Sequence, residues 1–130
     1  MQWIYISIGG ALGSVLRYFL QGHIQKSLPG AFPMGTLGVN LLGSLLIGFL
    51  GGWFLASQPT TGHLRLFLMV GVLGGFTTFS SFSIENLNLL REGHGRLAVA
   101  YILTSNVMGI GLAFAGFFLA KALIRSGGEP

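Results

Sequence analysis

The sequence predicts an all-α membrane protein of four transmembrane helices, the third of them broken, and three observations lead there. Hydrophobic residues make up 52% and charged residues 8% of the 130 residues, and mean hydropathy is +0.74, too little polar surface for a water-solvated globule. The apolar residues fall into four runs of about 20, the length that crosses a hydrocarbon core of about 30 Å. One of these runs contains Gly74-Gly75-Phe76-Thr77-Thr78-Phe79-Ser80-Ser81-Phe82-Ser83. Gly-Gly weakens a helix, and broken backbone at bilayer depth is tolerated only where protein or a water-filled cavity covers it. The break is therefore a predicted site.

The four spans follow in order. Span one is predicted over residues 3–20, with Trp3 and Tyr5 at one interface and Arg17 and Tyr18 near the other. No Lys or Arg precedes Arg17, so the first segment lacks the basic start of a secretory signal and is expected to stay in the protein. Residues 22–33 read as a loop through Lys26, Pro29, Gly30 and Pro33. Span two covers residues 34–56 and closes at Trp53 and a Ser57-Gln58-Pro59 turn. Span three fits between Arg65 and Arg91, over residues 66–90, where Glu85 is the one charge. Span four is the uncharged stretch 97–120, followed by Lys121 and Arg125. Residues 1–130 are thus expected to form a single membrane domain.

Charge and small residues carry the next step. The net charge of +4 comes from seven Lys and Arg scattered singly, which suits helix ends at headgroups rather than a nucleic-acid stripe. Four spans put both termini on one side, with Arg65, Lys121 and Arg125; the other side has Lys26, Arg91 and Arg96, and Arg17 leans toward it. Three against three, or four with Arg17, gives the positive-inside rule almost nothing to act on, so copies are expected to insert both ways. Gly9 and Gly13, then Ser44, Gly48 and Gly52, then Ser105, Gly109 and Ala113 repeat small residues at i, i+4, the spacing of close helix packing in lipid. The absence of cysteine excludes disulfides and thiolate metal sites.

Three stretches together resemble a known family. Gly9-Gly10-Ala11-Leu12-Gly13-Ser14-Val15-Leu16-Arg17-Tyr18, Gly35-Thr36-Leu37-Gly38-Val39-Asn40-Leu41-Leu42-Gly43-Ser44 and the broken run resemble, in that order, the GGxxGAxxRY, GTLxxNxxGS and GGxTTFSTF segments of the Fluc (CrcB-like) fluoride channels. Ser14 stands where Ala is frequent, Leu45 where Phe is common and Ser81 where Thr is common. The resemblance implies an antiparallel dual-topology homodimer with two fluoride pores and a structural sodium ion at its centre. It further implies passive export of fluoride across a cell inner membrane, with resistance to fluoride as the benefit.

The residues give these implications a physical content. An antiparallel copy would bring two breaks together at the midplane, each covering the other. Carbonyls converging from both copies suit a hard cation, and the resemblance assigns the main-chain oxygens of Gly74 and Thr77 to sodium; the competing reading is a Gly-Gly kink satisfied by threonine hydroxyls. Fluoride needs closely placed neutral donors, which Asn40, Thr78, Ser80, Ser81, Thr104 and Ser105 offer. Phe79 and Phe82 take the family's pore positions, where positive ring edges face the anion, whereas Phe76 reads as packing. Asn40 is alternatively an interhelical clamp. Tyr101, one turn from Ser105, faces span three or else anchors the interface. Arg17 and Glu85 are the intramembrane charges, expected at a vestibule or in a structural pairing. His23, His63 and His94 fall in predicted loops and are expected to be solvated.

Other functions fit less well. A small dual-topology multidrug exporter needs a carboxylate deep in its first span, and none is there. A non-transporting assembly subunit would use the small-residue faces but leaves the hydroxyl and Phe cluster without a purpose. No nucleophile, base and orienting residue recur at a spacing that would make an enzyme.

Overall fold

The computed structural model describes residues 1–57 and 62–127. Among them every regular element is helical, and four stretches are long and apolar enough to cross a membrane. The first is α1 (Gln2–Ser27), the second α2 (Met34–Ala56). The third comprises α3 (Gly62–Arg65), a π-helical stretch (Leu66–Val72), α4 (Leu73–Phe76) and, beyond an interruption, α5 (Phe79–Arg91). The fourth is α6 (Gly95–Ser126).

Helix α1 continues seven residues past the predicted end of span one, to Ser27. Its polar last two turns read as loop, yet Pro29 is the first residue that stops a helix, and the Leu28 N–H closes the end on the Ile24 carbonyl at 2.9 Å. The true connection, residues 28–33, is tied down by Gln25. Its Nε2 donates to the Phe32 carbonyl at 3.3 Å, and its Oε1 accepts the Gly35 N–H at 3.0 Å in the first turn of α2. At the other end of α2 the Ser57 N–H reaches the Trp53 carbonyl at 2.9 Å; the predicted Gln58-Pro59 turn lies outside the described residues. Between α5 and α6, Gly93 takes φ +81° while its N–H bonds Leu90 and that of His94 bonds Leu89. That is a Schellman ending, and its left-handed residue favours glycine.

The small-residue faces meet one another. A Cβ on Gly48 would collide with the Ala113 carbonyl oxygen, one on Gly52 would press on that of Phe117, and one on Gly116 would collide with that of Leu45. Helices α2 and α6 therefore touch backbone to backbone. The face of α1 works likewise against span three: a Cβ on Gly13 would collide with the Val72 carbonyl oxygen, and Gly9 lies against Phe67 and Gly71. These contacts fall on the π-helical stretch, a widened helix of the kind that recurs at functional positions. Two small cores result. Leu37, Leu89, Ala98 and Tyr101 form one, and Val39, Leu73 and Phe76 the other.

Candidate functional site

The interruption of span three lies at Thr77 and Thr78, two residues after the Gly-Gly pair expected to cause it. Gly74 and Gly75 are helical within α4, whereas Thr77 (φ −86°, ψ 155°) and Thr78 (φ −149°, ψ 119°) are extended. Gly75 serves contact instead of backbone angle, since a Cβ there would collide with the Gly10 carbonyl oxygen and crowd Ser14. The β-branched threonines accept the extended conformation readily.

The groups freed by the interruption can be followed one by one. The Thr78 N–H donates to Asn40 Oδ1 at 2.8 Å, and Asn40 Nδ2 donates to the Thr78 carbonyl at 3.0 Å. Asn40 is thus a clamp across the break, and one hydrogen of its amide remains for another acceptor. The Thr78 hydroxyl accepts the Ser81 N–H at 3.1 Å as the N-cap of α5 and donates to Ser81 Oγ at 3.1 Å. In an unbroken helix the Gly74 carbonyl would accept from the Thr78 N–H, and the Thr77 carbonyl from the Ser81 N–H. Both donors are turned elsewhere. The carbonyl of Gly75 receives Arg17 Nε at 3.0 Å, so Arg17, well inside α1, serves the break and not an interface.

Beside the interruption opens a cavity of about 370 Å³ whose lining includes Asn40, Gly74, Thr77, Thr78, Phe79, Phe82 and Ser105. No charged side chain among the described residues borders it. Ser105 Oγ is buried with no hydrogen-bond partner among the described residues, a donor left available. The Phe79 and Phe82 rings stand 5.5 Å apart and tilted, and Phe79 is 78% exposed on the single chain. Phe76, by contrast, is 6% exposed in the second core. Ser80 lies exposed, 3.3 Å from the Thr78 hydroxyl, and neither it nor Thr104 borders this cavity.

Glu85 and Tyr101 belong to one cluster. Tyr101 is fully buried, which corrects the interfacial reading, and its ring lies 5.0 Å from that of Phe82. Its hydroxyl donates to Glu85 Oε2 at 2.8 Å, while Thr36 Oγ1 donates to Glu85 Oε1 at 2.6 Å. The carboxylate therefore joins α2, α5 and α6. Thr36 escaped the sequence reading, although it stands one turn before Asn40 on α2 and so shares its face. A second cavity, of about 740 Å³, is lined by Arg17, His23, Lys26, Ser81 and Glu85 among others, under the 28–33 connection. His23 and His63 are helical, in α1 and α3, and His94 precedes α6. Among the described residues no three His, Cys, Asp or Glu gather as metal ligands.

Comparison with known proteins agrees in extent and in kind. Residues 4–117 match the family described as CrcB-like protein, Camphor Resistance (CrcB). The chain is 49% identical over 123 residues to a fluoride-specific ion channel FluC of Thermus thermophilus, covering 95% of this chain and 98% of the relative. It is 42% identical over 118 residues to that of Aquifex aeolicus, covering 91% and 95%. Against that of Rhodopseudomonas palustris the identity is 40% over 126 residues, covering 97% and 98%.

Proposed function

This chain belongs to the CrcB-like family, and from that premise we propose that it is a fluoride-specific ion channel, a multi-pass membrane protein and not an enzyme. The observation that carries the reading is the neutral cavity at the Thr77-Thr78 interruption. A strongly hydrated anion needs donors in place of its water, yet a full positive charge would hold it too firmly to release. The spare Asn40 amide hydrogen and the unpartnered Ser105 hydroxyl provide the first without the second. The Phe79 and Phe82 rings add positive edges and exclude larger ions by bulk.

The assembly proposed is an antiparallel homodimer in a cell inner membrane. Its support is the even division of Lys and Arg between the two sides, together with a cavity bordered by a ring that is 78% exposed on one chain. A second copy would close that cavity. Gly74 is on the exposed face, with nothing among the described residues within 4 Å of where its Cβ would be, and its carbonyl and that of Thr77 have lost their helical donors. Hard, uncharged oxygens of this kind suit sodium. Two from each copy would hold the ion at the dimer centre, where it supplies positive charge that fixes the paired breaks. Fluoride that enters as neutral HF and dissociates inside would leave through such a channel, which is the basis of resistance.

Purified protein in liposomes tests the function. Fluoride efflux should rise well above that of protein-free vesicles while chloride efflux does not, and exchange of sodium for a bulky organic cation should diminish it. Equal fluoride efflux with and without protein would sink the channel reading; indifference to sodium would remove the central ion alone.

A further inference from the structure

We propose that Asn106 is a further residue of the ion path, one that offers a fluoride ion in the cavity at the interruption a third neutral donor beside Asn40 and Ser105. The inference rests on the fluoride-channel reading and adds to it a side chain of α6 that lies outside the three family-like stretches. Asn106 borders the cavity of about 370 Å³ together with Gly74, Thr77 and Thr78. It also lies deep in its span. At a rise of about 1.5 Å per residue it stands about 14 Å along the helix from Leu97 and about 21 Å from Ala120, the two ends of the uncharged stretch.

An amide at that depth needs partners that its own helix does not supply. Leu103 and Ile110, one turn to either side, are exposed apolar residues, and Asn106 is exposed with them. Lipid suits the first two but has neither donor nor acceptor for the third. Asparagine carries two N–H donors and a carbonyl. One hydrogen of Asn106 Nδ2 goes to the Ile102 carbonyl at 2.7 Å, and the side chain makes no other hydrogen bond among the described residues. A backbone carbonyl only accepts, so this contact fixes which end of the amide meets the helix and leaves the second Nδ2 hydrogen to be shared. Asn40 is in the same condition, with one Nδ2 hydrogen on the Thr78 carbonyl, and Ser105 Oγ, next to Asn106 in the chain, has no partner among the described residues. Three side chains from α2 and α6 thus border one uncharged cavity, each with a donor to spare. Hydrogen bonds to an ion are about twice as strong as those between neutral groups, so each such donor bears on the barrier to passage.

Two substitutions, read by fluoride efflux from liposomes and by elution volume, separate a donor from a packing contact. Asn106→Leu nearly keeps the size of the side chain and removes its donors; Asn106→Gln keeps the amide and adds a methylene. A donor role predicts that Asn106→Leu slows fluoride efflux about tenfold or more. Asn106→Gln should stay within about threefold of the unaltered protein, and both variants should keep its elution volume. A packing role predicts the opposite order, with the Leu variant tolerated and the longer Gln harmful. Efflux from Asn106→Leu as fast as from the unaltered protein overturns the proposal, as does an Asn106→Gln variant as slow as the Leu one. A changed elution volume in Asn106→Leu also overturns it, because the amide would then hold subunits together instead of the ion. Absence of fluoride efflux from the unaltered protein would remove the channel reading, and this inference with it.

Discussion

Single side chains at the interruption divide between serving the backbone and serving the cavity. Asn40, Arg17 and the Thr78 hydroxyl satisfy groups the break has freed; Ser105 and the Phe79 and Phe82 rings have no such duty. The division predicts how substitutions separate. Phe→Ile keeps an apolar side chain, so a packing role would cost under about 1.5 kcal/mol of stability and little else. Loss of a ring edge from an anion path removes the positive edge that faces the ion, and each rise of about 1.4 kcal/mol in the barrier to passage is about tenfold in flux. Phe79→Ile and Phe82→Ile should therefore lower fluoride efflux while the purified protein keeps its elution volume; the exposed Phe79 should also leave the melting temperature unchanged, whereas Phe82, packed on Tyr101, should lower it modestly. Phe76→Ile, in the core, should show the reverse, a lower melting temperature with flux nearly kept. Normal efflux from both pore variants would return the aromatic stripe to packing. The residue types at the site were legible because hydroxyls, an amide and charges are out of place in hydrocarbon. Their partners were not, since the contacts between Asn40 and Thr78, Thr36 and Glu85, and Arg17 and Gly75 join residues 38 to 58 apart.

Helices show the same division between what a pattern carries and what packing decides. Hydropathy placed four spans and the small-residue spacing identified the faces that now meet. It did not place the end of α1, because Gly22, His23, Gln25 and Lys26 are polar whether helical or looped; the Gln25 bonds to the connection and to α2 settle the matter. Nor did it place the break. Two glycines weaken a helix, but Gly75 packed on Gly10 stays in it, and the chain opens where Asn40 offers both a donor and an acceptor to Thr78. The close backbone approach of α2 to α6 is where an element-scale prediction is sharpest. Gly48→Ala places a methyl against the Ala113 carbonyl, and in membrane helices this contact is van der Waals packing that no hydrophobic force replaces. The expected loss is about 1–3 kcal/mol, read as a lower melting temperature in detergent. Gly111→Ala, with nothing among the described residues within 4 Å of the new methyl, should leave it unchanged. Equal melting of both variants would mean that α2 and α6 can separate without cost.

For the whole molecule, the single chain is a half-covered object. Two small cores and many exposed large apolar side chains suit lipid on some faces, but lipid does not suit the released Gly74 carbonyl, which in hydrocarbon would cost several kcal/mol unsatisfied. A protein surface with a matching break is the natural cover, and an antiparallel copy provides it only if the chain inserts in both directions. The charge count permits this. Arg65, Lys121 and Arg125 face Lys26, Arg91 and Arg96 across the membrane, and the seventh cation, Arg17, is engaged with Gly75 inside the bundle and casts little vote at either surface. Reporter fusions at the C-terminus should accordingly find both orientations in comparable amounts, and a pair of added lysines in the 28–33 connection should shift most chains to the orientation that keeps that connection cytoplasmic. Recovery of fluoride resistance on coexpressing that variant with one biased the opposite way would then show that opposed copies are the working unit. A single orientation in the unaltered chain would contradict the homodimer and require a different protein to cover the break.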